Sequence, residues 1–237
     1  MPEGSARVAA KLDIPRLDNP ASYRDLAYAA LKRAITALDI YGAAEEVRLD
    51  ERALSADLGV SRTPIREAMT LLEQEGFLRT LPRRGVFIVR KTKREIVEMI
   101  QVWAALESMA ARLACAHASD AEIASLHTVM DEYAAKAGSA KEHLDEYSDA
   151  NIAFHQAILR MGGSALIEQM TENLFVHVRA IRRATIAQRD RASRSVEDHM
   201  EIIRALEKRD AATAERLVRD HTLGLADHVE RYCDFLE

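Results

Sequence analysis

The chain has 237 residues, 48% of them hydrophobic and 30% charged, which suits two modest domains or one large one of ordinary globular composition. No apolar run approaches a membrane span and no signal-peptide core opens the chain, so a membrane protein is excluded and a cytoplasmic location expected. The two cysteines, Cys115 and Cys233, have no motif spacing, as in a reduced compartment. The net charge of −5 is unevenly spread: residues 1–92 hold 15 Lys and Arg against 13 Asp and Glu, residues 93–237 hold 18 against 25, and residues 62–91 hold seven against three. A local basic cluster on an acidic chain fits local contact with a polyanion, with the remainder kept off it.

Residues 1–21 are polar, contain three prolines and read as a mobile arm. From Ser22 to about Asp39, Leu26, Ala30, Leu31, Ala34, Ile35 and Leu38 recur at helical spacing. "IYGAAEEVRL" reads as a connection. A short helix is expected over about 51–58, stopped by Gly59. Ser61 or Thr63 can cap the next helix, with Pro64 in its first turn, and Gly76 ends it after about Gln74. The period then changes. "FLRTL" and "VFIV" are β-like runs joined by "PRRG", a hairpin turn carrying Arg83 and Arg84. After Val89 only helical signals remain. Capping boxes at Thr92 with Glu95, Ser119 with Glu122 and Ser139 with Glu142 start three helices. "MGGS" at 161–164, "AQRDRAS" and "EKRDAA" at 207–212 separate three more.

The expected fold is therefore mainly α. A winged helix-turn-helix of three helices and a two-stranded wing spans 22–91, and an all-α six-helix bundle spans 92–237. In a winged helix the third helix enters the major groove and the wing touches the backbone or minor groove. Arg62 and Arg66 lie one turn apart on one face, where guanidinium groups can fork onto guanine or phosphate. Cations at a helix N-terminus oppose the macrodipole, so they are either solvated on a surface helix or await an anionic partner, and the wing with Arg83 and Arg84 favours the second. Ser61, Thr63 and the free N–H groups of the first turn can reach phosphate oxygens.

The stretch "LSADLGVSRTPIREAMTLLEQEGFLRTLPRRGVFIV" resembles the N-terminal domain of the GntR family of bacterial transcription regulators, over about residues 24–90. The resemblance implies that Arg52, Arg62, Thr63 and Arg66 contact double-stranded operator DNA with Ser61 assisting. It also implies that Arg84 and Gly85 form the wing tip. The chain departs from the family before the second helix, where "AAEEVRL" replaces a common Pro-Gly.

In the second half, Asn151 and His155 stand at i, i+4 on one helical face. His199 and His221 flank "EKRDAA". If those helices fold back antiparallel, both imidazoles lie at similar height, roughly 15 Å from the turn. Facing the Asn/His pair, they would make a metal site inside a bundle. Residues 93–235 resemble the helical ligand-binding domain of the FadR-like branch, called FCD, through "ALESMAARLA", "AFHQAIL" and "EDHMEIIRALEKRDAATAERLVRDH". The resemblance implies a divalent ion held by His155, His199 and His221, with Asn151 in the position where metal-binding relatives have an acid. Asp149 points about 200° away on an ideal helix and is a poor substitute. Imidazole-rich ligation suits Zn or Ni. Trp103 stands where many relatives carry an arginine, and either borders the effector or is plain core.

The expectation is a homodimeric repressor of a near-palindromic operator, controlled by a small organic acid bound beside the metal. Repression relieved by effector is what the resemblance implies. A metal-dependent enzyme is the rival, since an open metal site can activate water, but no general base stands out beside the histidines. A regulator with a purely structural metal, or with a metal-free pocket, also accords with these residues.

Overall fold

The computed structural model describes residues 22–38, 40–41, 46–137, 144–185 and 191–234. The expected N-terminal arm and the Ser139–Glu142 capping box lie outside them. The chain divides into two compact units, residues 1–90 and 91–237.

The first unit holds α1 (Tyr23–Ala37), β1 (Arg48–Leu49), α2 (Glu51–Leu58), α3 (Arg62–Gln74), β2 (Leu78–Leu81) and β3 (Gly85–Ile88). Asp50 caps α2, its carboxylate accepting from the backbone N–H groups of Arg52 and Ala53. Gly59 ends the helix in the left-handed region at φ 68°, a conformation that strains a side chain. The apolar faces of the helices bury Leu31, Ile35, Leu58, Ile65 and Leu72 with Phe77, just before the sheet, and Phe87 of β3. Glu75 ties α3 to α1, accepting from Tyr28 Oη at 2.5 Å and Lys32 Nζ at 2.9 Å.

The wing hairpin is present, with β2 antiparallel to β3 from Leu78↔Ile88 to Leu81↔Gly85. A third strand joins it where the sequence reads as a connection. Arg48 pairs with Phe87 and Leu49 with Val86, giving the order β1-β3-β2. A two-residue strand has no periodicity of its own. It exists because β3 offers a second edge and Leu49 is buried beneath it.

Among the described residues the second unit holds six helices: α4 (Lys93–His117), α5 (Asp120–Ala137), α6 (Leu144–Met161), α7 (Ala165–Thr185), α8 (Arg191–Glu207) and α9 (Ala211–Tyr232). The Thr92–Glu95 box starts α4, and Ser119 with Glu122 makes the same reciprocal bonds before α5. Ile100, Trp103, Ala104, Glu107, Ala111 and Ala114 form the buried stripe of α4, spaced at three and four residues. Phe154, Ile158, Ile202, Leu206 and Val218 pack in one core with Ala111 and Ala114. The α8–α9 turn is held by Arg209. Its guanidinium donates to the Ala118 carbonyl at 2.6 Å and pairs with Asp120, so the turn is fastened to the end of α4 and α8 and α9 run back antiparallel.

Candidate functional site

The first candidate face belongs to α2, α3 and the wing. Arg52 follows the start of α2, and Ser61, Arg62, Thr63 and Arg66 occupy the N-cap and first turns of α3; all five are exposed. Ser61 makes no side-chain capping bond, so its hydroxyl and the first N–H groups of α3 remain turned to whatever approaches the helix mouth. Arg62 and Arg66 converge on one atom. Arg66 Nε donates to Glu51 Oε2 at 2.7 Å and Arg62 Nη2 donates to the same oxygen at 3.1 Å. Burial pushes the Glu51 carboxyl up, but the hydrogen bonds and charges of Arg66 and Arg62 outweigh it and hold it below its ordinary range. Within the unit, the anion for the misplaced cations is therefore Glu51, a residue sequence reasoning passed over.

At the wing, Arg84 is exposed beside Gly85, and its guanidinium stands 5.9 Å from the Phe87 ring centre. Gly85 has φ 108°, and a Cβ there would stand 2.7 Å from Arg48 Nε. The side chain of Arg48 thus lies against the wing-tip glycine, and β1 brings a further cation to the wing. Nothing in the local sequence signals this, because it depends on β1 pairing with β3.

The second candidate site lies inside the helical unit. His155 on α6, His199 on α8 and His221 on α9 each offer a nitrogen within 4.8 Å of the others. The Nε2 atoms of His199 and His221 are 3.1 Å apart. Two imidazoles at adjacent positions on one ion, with metal–nitrogen bonds of about 2.1 Å, have nitrogens roughly 3.0–3.4 Å apart. His155 and His199 are almost fully buried.

The far nitrogens of two rings are held by carboxylates. Glu107 Oε1 sits 2.5 Å from His155 Nδ1, and its Oε2 accepts from Thr222 Oγ1 at 3.1 Å. Asp198 Oδ2 sits 2.9 Å from His221 Nδ1. A carboxylate on Nδ1 fixes the tautomer and turns the Nε2 lone pair inward, the arrangement that orients metal-ligating histidines. Phe154 stacks on His199 with ring centres 4.0 Å apart, and Trp103 meets His155 edge-on at 4.9 Å. The donor set and its outer partners fit a divalent ion.

The structure brings together His155, His199 and His221 as the spacing suggests. Asn151 is fully buried one turn before His155, and its amide donates to Ser195 Oγ at 3.3 Å. Trp103 is 1% exposed and packs between His155 and Phe175, as a core residue beside the histidines. Glu107 and Asp198 are site residues that sequence reasoning did not single out. Glu107 carried a signal: it is the one charged side chain on the buried stripe of α4, and such a group is rarely buried unpaired.

A winged helix followed by an all-helical domain with an imidazole cluster defines a DNA-binding regulator with a sensing domain. Residues 25–88 match the bacterial regulatory proteins of the gntR family, and residues 98–224 match the FCD domain. The chain belongs to the GntR family of transcription regulators and carries an FCD effector domain. It is 27% identical to an uncharacterized HTH-type transcriptional regulator in an unstable DNA locus of Streptomyces ambofaciens, over 88% of this chain and 85% of that one. It is 24% identical to the HTH-type transcriptional repressor RspR of Escherichia coli, over 77% and 79%. Escherichia coli McbR/YncC has a similar fold, with a TM-score of 0.75 at 19% identity, over 90% of this chain and all of that one. Families and relatives point to a regulator and not an enzyme. No described helix is long and apolar enough to cross a membrane.

Proposed function

We propose that this regulator is a cytoplasmic homodimeric repressor whose affinity for a two-fold operator changes when a small organic acid binds beside a divalent metal. The observation that carries the reading is the histidine cluster, in which carboxylates hold the Nδ1 atoms of His155 and His221 while the nitrogens that remain converge. His155, His199 and His221 would hold the ion, Zn or Ni by ligand type, with the Asn151 amide oxygen as a neutral fourth ligand. The metal would supply a Lewis-acidic centre with open positions for a carboxylate oxygen. Arg52, Arg62, Thr63 and Arg66, assisted by Ser61, would meet the operator, with Arg84 and Gly85 following its backbone. Trp103 would wall the pocket on the side of His155. Val102 and Met109, exposed two turns apart on α4, offer apolar surface to a second copy.

Arg62→Ala combined with Arg66→Ala abolishes gel-shift binding to an operator selected from a random-sequence pool, with unchanged circular dichroism. Undiminished affinity overturns the DNA assignment. Metal analysis of the purified protein, wild type against His199→Ala, tests the centre: the wild type carries one ion per chain and the variant loses it. A metal that binds while acids leave operator affinity unaltered favours a purely structural ion.

A further inference from the structure

We propose that the cleft between α8 and α9 admits a small acid that also carries an ammonium group, and that Gly224 exists to keep this cleft open. The proposal rests on the reading of the helical unit as the sensing domain and narrows the class of its ligand.

The cleft has a volume of about 490 Å³, and His221 forms part of its wall. It therefore reaches one of the three clustered histidines. Gly224 lies one turn beyond His221, inside the 22-residue helix α9. Glycine weakens a helix interior relative to alanine, so its presence there calls for a reason. Close packing is not the reason: no atom stands within 4 Å of the place a Cβ would take. The backbone is not the reason either, since Gly224 has no positive φ. What the missing side chain leaves is part of the cleft wall, where Gly224 is exposed.

The charges around the cleft define the ligand. Arg194 and Arg231 line the cleft, and so do Glu197, Asp227 and Asp198, the last already engaged with His221. A plain carboxylate meets the guanidinium groups but is also set beside three carboxylates, and like charges brought together repel. A small molecule with an acid at one end and an ammonium at the other complements both signs of charge. An acid and its amino counterpart share the carboxylate, so the second charge of the ligand decides the preference.

Matched pairs isolate that charge: propionate against β-alanine, and butyrate against 4-aminobutyrate. Each is titrated calorimetrically into the full-length protein, with and without Co²⁺. The amino acid of each pair binds about tenfold tighter than its plain partner, the worth of one favourable charge contact. Glu197→Gln with Asp227→Asn removes that preference. Gly224→Leu folds with an unchanged or higher Tm and the wild-type Co²⁺ absorption spectrum, yet binds neither member of a pair. Plain acids that bind as well as amino acids, no binding by either, or a Gly224→Leu protein that binds like wild type each overturn the proposal. A wild type that prefers the amino acids but takes up no Co²⁺ sinks the metal reading and leaves this one standing.

Discussion

Glu107→Gln removes one charge behind the histidine centre while keeping its shape. The wild-type carboxylate is fully buried and accepts on both oxygens, from His155 at 2.5 Å and from Thr222 at 3.1 Å. A glutamine amide can still accept the Nδ1–H of His155 through its oxygen, and its nitrogen can donate to Thr222 Oγ1, so neither partner is stranded. What is lost is the charge-assisted part of the bond to His155, about 1 kcal/mol between an ionised and a neutral acceptor. The negative field behind a ring that faces a cation is lost as well. Outer-shell carboxylates of this kind are worth roughly 10–100-fold in metal affinity, or about 1.4–2.8 kcal/mol at 1.4 kcal/mol per factor of ten. Competition of Zn²⁺ between the protein and a chromogenic chelator reads that number directly. Glu107→Ala falls further, because the ring is then free to turn and two buried polar groups lose their acceptor. The expected order of affinity is wild type, glutamine, alanine. A glutamine variant that holds Zn²⁺ as tightly as the wild type refutes the orienting role of Glu107.

Two further outcomes follow from the same geometry. Glu51→Gln releases Arg62 and Arg66 from their shared oxygen, and binding to a random-sequence duplex at low salt rises roughly threefold, the scale of an exposed ion pair; unaltered or weaker binding by fluorescence anisotropy shows that Glu51 does not compete with phosphate. Burial, reinforced by the charge of Lys91 and opposed by Glu95, lowers the pKa of His177 to about 4. The unfolded chain takes up this proton first, at its ordinary pKa of about 6.5. The neutral ring's contribution is complete above that pH and is lost as pH falls towards 4, by at most about 3 kcal/mol. Urea titrations of the wild type and His177→Asn between pH 7.5 and 4.5 should diverge accordingly, and parallel curves contradict the assignment.

Much of this protein is legible in the chain itself, for a physical reason that recurs. Helix starts at Thr92 and Ser119, the stop at Gly59 and the hairpin around Arg83 and Arg84 each depend on groups within a few residues of one another. Their hydrogen bonds close locally, so the residue types carry the information. The pairing of His199 with His221 is also readable, because a turn at "EKRDAA" and a fixed helical rise bring both rings to one level. The roles of Glu51, Arg48, Glu107 and Asp198 are of another kind. Glu51 meets Arg66 across 15 positions, Arg48 reaches Gly85 only through strand pairing, and Glu107 meets His155 across 48 positions and Thr222 across 115. Asp198 adjoins His199 in sequence but serves His221, on the next helix. A carboxylate's partner is chosen by which faces the packed helices present to each other, and no local pattern encodes that choice. The sequence alone determined the kind of protein and the three histidines that cluster. Tertiary packing decided which acid stands behind His155 and His221, and which acid holds the arginines at the mouth of α3, because only the folded core brings such distant charges within hydrogen-bond reach.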